Sequence, residues 1–359
     1  MKKFYLLFSL LLSLSTLANN VTIVAYQPAP GQFVNTMPKA TADADSVSMA
    51  QAANTMIERG SLVSLGGFGG YVIAKFDRPI TNEVADDYDF RIFGNAYTNS
   101  SEPGVVWVSA DVNNNGLPDD PWYELYGSEA ERSTRPYKII YYRPTKADDD
   151  ATTSVAEYIS WRDNYGATGF IPKNAFHKQS YYPLWLAADS LVYEGTLLPD
   201  NANDVNGDGS LWHLHSYEWG YADNLANADI EGCSFKMEWA NDAEGQAANL
   251  ESIDFVKIHT GINKVNGSTI GECSTEISGI EAVREVIPSG VEVIKTNNYF
   301  VDYRSQCIRF GASVSNAVIA TIGGQIIATY SNVDVIYFSS LQSGVYVCIA
   351  DSQIIKIIK

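Results

Sequence analysis

Short stretches of alternating apolar and polar residues recur along most of the chain, separated by turn-forming residues. In residues 233–240, for example, Phe235 and Trp239 alternate with Lys236 and Glu238. This period of two is typical of an antiparallel strand with one buried and one solvated face. We therefore predict an all-β chain whose main part is a jelly-roll-like β-sandwich. Further strands are predicted over 89–97, 105–110, 122–127, 138–144 and 253–260.

Two local patterns interrupt the strands near the start of the chain. Residues 42–59 have helical propensity and modest periodicity, which predicts one short surface helix. The glycine-rich run at 66–70 is followed by a predicted strand, with no Lys-Ser/Thr pair and no helix after it. We therefore interpret the run as a turn or bulge and not as a nucleotide-binding loop.

The pattern also divides the chain into segments. An apolar run over 4–14 follows Lys2 and Lys3 and is too short to span a bilayer, so residues 1–18 are predicted to be a secretory signal peptide. The main β-sandwich is assigned to 19–283. A Pro-Ser-Gly sequence marks a linker over 284–296, and the short strands of 297–359 predict a small C-terminal β-sandwich.

Composition limits the classes of partner. The chain has 42 acidic and 24 basic residues, a net charge of -18 and a pI near 4.5. Such an acidic protein is not expected to bind nucleic acid or an anionic membrane, and it favours cations and neutral ligands. Aromatic residues make up 12% of the chain, which excludes a disordered acidic protein and favours a β-rich fold.

The sequence DVNNNGLPDD, which follows the strand over 105–110, has the spacing of a calcium loop. Oxygen-bearing side chains occupy positions 1, 3 and 5, and glycine occupies position 6, where the loop turns sharply. Position 12 is Trp122, so the loop cannot end as an EF-hand does. The alternative is a metal-free turn between two strands. The predicted calcium ligands are Asp111, Asn113, Asn115, Leu117, Asp119, Asp120 and Glu124.

A second sequence, DVNGDG, repeats this pattern at residues 204–209. Asp204, Asn206 and Asp208 stand at positions 1, 3 and 5, and we include them as candidate calcium ligands. The positions that follow supply no carboxylate, which is the argument for an ordinary turn. Calcium is the only cofactor predicted.

The long turn-rich region 146–227 contains many aromatic residues. Long loops in compact domains frequently carry function, and exposed rings can stack on sugars or other flat ligands. The alternative is that these rings pack on each other over the sandwich. The candidate ligand-binding residues are Tyr181, Tyr182, Trp185, Trp212 and Trp219.

No sequence signature of catalysis is present, because GxSxG and HExxH are both absent and the many carboxylates form no distinctive pair. We therefore predict a binding protein rather than an enzyme. Two rivals are a carbohydrate-active enzyme with a carboxylate pair in an aromatic cleft, and a structural surface or adhesion protein. The four cysteines are compatible with disulfides or with buried free thiols.

Residues 21–283 also resemble a family of secreted cell-surface proteins of Bacteroidota. The resemblance lies in PAPGQFVN, SLGGFGGYVIAKFDRPI, DFRIFGNAY, the calcium-loop segment, FHKQSYYPLW, EWGYADN and IDFVKIHTGIN. It implies a β-sandwich exported to the cell surface. Members are often encoded beside cobalamin-uptake receptors, which implies capture of a corrinoid or another scarce nutrient, such as a glycan, together with an outer-membrane receptor.

The C-terminal segment resembles a type IX secretion sorting domain. The resemblance lies in AVIATIGGQII, FSSLQSGVYVCIA and the terminal KIIK. It implies export by the type IX secretion machinery and display at, or release from, the cell surface. An ordinary C-terminal β-domain is the alternative.

Overall fold

The computed structural model describes residues 21–41, 43–82, 87–283, 299–302, 306–321, 325–342, 344–350 and 353–359. The predicted signal peptide, 1–18, and the predicted linker, 284–296, lie outside these residues. The chain divides into two compact units, Met1–Ile287 and Pro288–Lys359. The division falls inside the segment predicted to be a linker.

The first unit is built almost entirely from strands. In chain order they are β1 (Val21–Gln27), β2 (Val63–Ser64), β3 (Tyr71–Thr81), β4 (Phe90–Phe93), β5 (Gly104–Ser109), β6 (Tyr123–Leu125), β7 (Thr134–Tyr142), β8 (Val155–Asp163), β9 (Thr168–Lys173), β10 (Ser190–Leu197), β11 (Ala202–Asp204), β12 (Trp212–Leu214), β13 (Ser234–Phe235), β14 (Ala240–Asn241), β15 (Ser252–Thr260), β16 (Val265–Asn266), β17 (Gly271–Glu272), β18 (Glu276–Ile277) and β19 (Gly279–Ala282). Helical segments are α1 (Ser46–Glu58), α2 (Lys146–Asp149), α3 (Gly267–Ile270) and the 3₁₀ turns Ala130–Arg132 and Met237–Trp239.

Three sheets organise this unit. A six-stranded sheet has the order β1-β3-β15-β5-β6-β14, a four-stranded sheet the order β10-β7-β8-β9, and a three-stranded sheet the order β13-β4-β19. Two-stranded ribbons pair β11 with β12, β16 with β17 and β18 with β2. All these strand pairs are antiparallel. The predicted all-β sandwich is confirmed.

One face of the six-stranded sheet forms the main hydrophobic core. Val106 and Val108 of β5 share a face with Ile258 of β15, and all three are buried in one cluster. Phe90 and Phe235 of the three-stranded sheet belong to the same cluster, with their rings stacked at 5.4 Å. Each such side chain contributes roughly 1.5–3 kcal/mol by leaving water, so this core fixes which face of the sheet remains for other contacts.

Helix α1 lies within the segment predicted to be helical. Asp45 caps its N-terminus, accepting a hydrogen bond from the Ser48 backbone amide at 2.7 Å, and Ala53 is among the residues that the helix buries in the main core. Asn54 accepts a hydrogen bond from the backbone amide of Ile23 on the edge strand β1 at 2.8 Å. The helix therefore satisfies part of an edge that would otherwise be open to pairing with another strand.

A second hydrophobic cluster supports the four-stranded sheet. It is rich in tyrosine and contains Phe68, Tyr141 and Tyr193. The glycine run predicted to be a turn lies against it and is closely packed: a Cβ on Gly66, which has φ +70°, would come within 2.0 Å of the Ala29 carbonyl oxygen. The run is thus a tight turn between β2 and β3.

The second unit is a small antiparallel β-structure. Its strands are β20 (Tyr299–Asp302), β21 (Cys307–Thr321), β22 (Ile326–Tyr337), β23 (Val345–Ala350) and β24 (Gln353–Ile358). They form one sheet of order β20-β21-β23-β24, in which β22 pairs with β21. A core that includes Ile319, Ile336, Phe338 and Ile355 holds it together.

All four cysteines, Cys233, Cys273, Cys307 and Cys348, are free and buried. Of the two alternatives left open by the sequence, the structure therefore has buried thiols. Among the described residues, no helix is long and apolar enough to cross a membrane.

Candidate functional site

A cleft of about 490 Å³ opens on the face of the six-stranded sheet that the main core leaves free. Strands β5, β6 and β15 form its floor, and β7 and β10 of the four-stranded sheet form a wall. Its volume lies in the range of roughly 300–1,000 Å³ that is usual for small-molecule sites. The residues that matter most for its chemistry are Trp107, Trp122, Glu124, Tyr126, Arg135 and Lys257.

Strand pairing brings three of these residues into one row. Lys257 of β15 is the register partner of Trp107 on β5, and Trp107 is in turn the partner of Glu124 on β6. Directly opposed residues on one sheet face have Cβ atoms roughly 4.5–5.5 Å apart. A cation, an aromatic ring and a carboxylate thus stand side by side on the floor of the cleft.

The alternation along β6 separates the cleft from the core. Trp122, Glu124 and Tyr126 line the cleft, whereas Tyr123 and Leu125 belong to the main hydrophobic cluster. Successive side chains of a strand point to opposite faces, so one set of side chains in this segment faces the core and the other set faces the cleft. Its outward face carries two aromatic rings that flank a carboxylate.

Glu124 forms the strongest polar interaction in the cleft. Arg135 donates to both of its carboxylate oxygens, with Nε at 3.1 Å from each and Nη2 at 2.6 Å from Oε1. Thr196 donates to Oε2 at 2.5 Å, and the Arg135 guanidinium lies 4.4 Å from the centre of the Tyr126 ring. Only 4% of the Glu124 side chain is exposed, so this bidentate pair is a buried, fixed element.

Lys257 is the second cation of the cleft and has a different environment. Its Nζ lies 4.6 Å from the centre of the Tyr71 ring, and no described carboxylate is within 4.0 Å. Burial lowers the pKa of Lys257, and the negative charge of Glu194 partly offsets that effect. Glu194 itself pairs with Lys138 at 3.6 Å.

The predicted calcium loop, which we call the Asp111 loop, connects β5 to β6 and ends beside the cleft. Asp111 Oδ1 and Asn113 Oδ1 both accept a hydrogen bond from the Asn115 backbone amide at 2.9 Å. Asn115 and Asn113 in turn donate their side-chain amides to Asp119, at 3.0 and 3.3 Å. Positions 1, 3, 5 and 9 are therefore joined by hydrogen bonds within one small loop, with the side-chain amides of Asn113 and Asn115 directed at Asp119.

The backbone of the Asp111 loop is held from two sides. Gly116, with φ +77°, donates its backbone amide to Asp111 Oδ2 at 2.8 Å, so the sharp turn at position 6 is formed. Asp254 of β15 accepts from the Asp111 backbone amide at 2.8 Å, and Lys75 donates to the Gly116 carbonyl at 3.2 Å. The loop is anchored to the sheet by contacts independent of any ion.

The other predicted calcium ligands are Leu117 and Asp120, which lie in the loop, and Glu124, which does not. Leu117 donates its backbone amide to Asn115, and Asp120 accepts from the Val112 backbone amide at 3.1 Å, so both remain within the loop. The assignment of Glu124 as a calcium ligand is wrong, because its carboxylate is buried in the pair with Arg135. Within the described part of the chain, no three His, Cys, Asp or Glu side chains cluster to hold a metal. A cation in the loop would thus depend on asparagine and backbone oxygens as well as Asp111 and Asp119.

The second predicted calcium loop joins β11 and β12. Asp204 accepts hydrogen bonds from the backbone amides of Gly207 and Gly209, at 3.0 and 2.7 Å. The Asn206 side chain and the Asp208 carboxylate both bond to Ser210, at 2.9 Å each. The turn has formed, but these bonds do not draw the three side chains together as in the Asp111 loop.

The predicted aromatic platform is not one surface. Tyr181 and Tyr182 are completely buried in the tyrosine-rich cluster, so their assignment as ligand-binding residues is wrong. Trp185 packs against the main core and stacks on Tyr26 with ring centres 5.9 Å apart. These rings bury large apolar areas. The sequence signal for them was their position in a long aromatic loop, which does not distinguish buried rings from exposed ones.

The two remaining predicted rings lie apart from the cleft. Trp212 donates from Nε1 to the Gly209 carbonyl at 3.2 Å and covers the second loop. Trp219 is 40% exposed and lies 4.7 Å from Trp239, ring centre to ring centre, at a smaller depression of about 350 Å³. Both stay candidates, and only Trp219 presents a free ring face of any size.

No protein-family model matches this chain, and no curated protein is significantly similar to it. The function must therefore be argued from the site itself. Sequence reasoning did not assign Trp107, Trp122, Tyr126, Arg135 or Lys257 to a ligand site. The signal available was the alternation of Trp122, Glu124 and Tyr126, which marks a shared face but does not say that this face is open.

Proposed function

We propose that this protein is a secreted, calcium-stabilised binding protein that captures a glycan in the cleft, without catalysis. The observation that carries the proposal is that Trp107, Trp122 and Tyr126 line one cleft around the ion-paired Glu124 and Arg135. Sugar rings have apolar faces and polar edges. Aromatic rings beside fixed charged groups match both properties.

The state of the carboxylates favours binding over glycoside hydrolysis. Glycosidases generally need two carboxyl groups, one to protonate the leaving group and one to act as base or nucleophile. Glu124 is occupied by Arg135 and Thr196, and Asp242 accepts the backbone amides of Glu244 and Gln246 at 3.0 and 2.7 Å. Glu194, the third carboxylate of the lining, pairs with Lys138 at 3.6 Å. These acids act as supports for the cleft rather than as proton donors.

Calcium has a structural role in this proposal. Asp111, Asn113, Asn115 and Asp119, with the Leu117 carbonyl, would hold the ion. The loop runs directly into Trp122, whose Nε1 donates to the Pro118 carbonyl at 3.4 Å. Ordering the loop therefore orders one of the rings of the cleft, which links the ion to ligand affinity.

Export and partners complete the proposal. The predicted signal peptide and the resemblance of the tail to a type IX sorting domain support secretion by that machinery. The genomic association of the resembling family supports cooperation with an outer-membrane nutrient receptor. We prefer glycans to corrinoids as ligands because the cleft offers aromatic rings for stacking and polar groups for hydrogen bonds to the edge of a sugar. Cobalamin is included in the same binding screen.

We expect Trp122→Ala to lower glycan affinity by about 10- to 100-fold. The basis is that an aromatic anchor in a site commonly contributes about 1.5–3 kcal/mol. The measurement is a glycan-array screen of the purified protein, followed by calorimetric titration of each hit and of cyanocobalamin. Trp212→Ala is the matched control, because its ring covers the second loop instead of lining the cleft. Equal losses in both variants would contradict the cleft as the binding site.

The same titration separates the rival functions. Recovery of intact oligosaccharide after long incubation supports binding, whereas new reducing ends would support the carbohydrate-active enzyme. Binding to cyanocobalamin without any glycan would replace the ligand class in the proposal. No binding to either would leave a structural surface protein as the better explanation.

We expect 10 mM calcium to raise the melting temperature by about 3–10 °C relative to chelator. Extracellular sites have dissociation constants of roughly 10⁻⁴–10⁻³ M, so this concentration supplies about 1.4–2.7 kcal/mol. Asp111→Ala should remove the response, because it deletes the ligand at position 1. The control is Asp189→Ala, at a fully exposed carboxylate far along the chain from the loop. A melt that is identical in calcium and chelator would refute the calcium proposal.

A further inference from the structure

One cation of the cleft, Lys257, forms no ion pair with a described residue: Glu194 acts on it electrostatically but pairs with Lys138 at 3.6 Å. Lys257 lies in the cleft floor, and among the described residues its ammonium contacts the face of the Tyr71 ring at 4.6 Å. Its register partners on the two neighbouring strands are Ile73 and Trp107, so neither neighbour in the row supplies a negative charge. A half-buried ammonium in this position lacks the pairing that buried charges usually have.

The other cations around the cleft are already paired. Arg135 directs Nε and Nη2 to Glu124, and its Nη1 donates to the Ala130 carbonyl at 2.5 Å. Lys138 on β7 is the register partner of Glu194 on β10 and pairs with it at 3.6 Å. Lys257 is therefore the cation in the cleft whose donors are open to a ligand.

We propose that the ligand of this cleft is an acidic glycan whose carboxylate binds to Lys257. The inference rests on the proposed function and narrows its substrate class to uronic or sialic acids. A sugar carboxylate projects from the edge of the ring, while the face of the ring is free to stack. The adjacent placement of Lys257 and Trp107 across the strands fits these two contacts at once.

The alternative of a neutral glycan leaves the ammonium unexplained. A neutral sugar would bury Lys257 further and offer it only hydroxyl groups, which are weaker partners than a carboxylate. Burial of the amine also already lowers the pKa of Lys257, so an anionic ligand would relieve an existing cost. The acidity of the whole protein opposes anions at long range, and this local cation is what overcomes it at contact distance.

The test compares pairs of glycans that differ only in the carboxylate. The probes are trigalacturonic acid and its methyl ester for uronic acids, and sialyllactose and lactose for sialic acids, each titrated into the full-length secreted protein. Unmodified protein is expected to bind at least one acid about 10- to 100-fold more tightly than its neutral counterpart, the range of a charge-assisted hydrogen bond.

Variants assign the preference to one side chain. Lys257→Met should remove the preference for the acid over its neutral counterpart, whereas Lys257→Arg should keep most of it. Lys138→Met is the matched control, since it removes a lysine beside the same Glu194 but outside the cleft lining. Circular dichroism of each variant shows whether it is folded.

The outcomes distinguish this inference from the proposed function. Equal binding of acidic and neutral probes by the unmodified protein overturns the inference but leaves a glycan-binding cleft in place. A preference that survives in folded Lys257→Met also overturns it. Absence of binding to every probe overturns both, and selective loss of the acid in Lys257→Met supports both.

Discussion

Replacement of Arg135 by methionine is expected to lower the free energy of unfolding of the first unit by about 3–5 kcal/mol. The substitution leaves Glu124 as a buried carboxylate without its cation, and among the described side chains Thr196 alone still donates to it. Desolvation of an unpaired charge is what makes broken buried pairs so costly. Urea unfolding at pH 7 measures the change, and ligand binding should be lost with it.

Two further variants separate this explanation from simple loss of packing. Lys146→Met breaks a pair with Asp150 in which both side chains are largely exposed, and it should leave the free energy of unfolding nearly unchanged because solvent screens the pair. Glu124→Gln combined with Arg135→Met should recover much of the stability, because no uncompensated charge remains. A double variant as unstable as Arg135→Met alone would contradict the role assigned to the charge.

The protein is also expected to be more stable at pH 5.5 than at pH 9. Four carboxylates, Glu102, Asp223, Glu272 and Glu276, lie close together near the pairing of β18 with β2, and burial raises the pKa of Glu102 well above its usual value. Burial raises the pKa of Glu272 from 4.5 to about 7 and that of Glu276 from 4.5 to about 8, and it raises the pKa of Asp223 from 3.8 to about 7. Negative charge on Asp223 adds to the effect on Glu276, whose backbone amide donates to Asp223 at 2.9 Å.

The direction follows from proton binding. A raised pKa means that the folded chain holds the proton more tightly than the unfolded chain, so the unfolded state deprotonates first as the pH rises. The free energy of unfolding therefore falls between about pH 4.5 and pH 8, and it levels off above that. For Glu272 alone, the change from 4.5 to about 7 corresponds to roughly 3 kcal/mol.

Glu272→Gln isolates one contribution. The Gln32 backbone amide donates to Glu272 Oε1 at 2.7 Å, a bond that the amide oxygen of glutamine can keep. We expect the difference in unfolding free energy between pH 5.5 and pH 9 to shrink by about 2 kcal/mol, because at pH 5.5 the unfolded carboxyl has already lost most of its proton; urea titration at both pH values measures it. Glu157→Gln, at an exposed strand position, is the control and should leave the difference unchanged. A larger difference in Glu272→Gln would refute the assignment.

Features that depend on near neighbours could be predicted well. The alternation of Trp122, Glu124 and Tyr126 with Tyr123 and Leu125 defines a strand with two chemically different faces, and the structure has that strand. The turn of the Asp111 loop could also be predicted from the sequence, because its hydrogen bonds join Asp111 to residues only four and five positions away. Calcium binding there stays a prediction.

Features that depend on distant pairing could not be predicted in the same way. Glu124 was assigned to calcium as the next acid after the loop, and only the return of β7 places Arg135 against it. Tyr181 and Tyr182 looked like a platform, yet they are covered by the four-stranded sheet.

The sequence by itself therefore determined the strands, the different chemistry of their two faces and the local turns. The reason is that the period of apolar residues and the short-range hydrogen bonds depend only on residues close together in the chain. Only the tertiary structure decided which faces became core and which became a cleft, and that Lys257 stands beside Trp107. Those outcomes depend on the order of strands in the sheet, which brings together residues 150 positions apart in the chain.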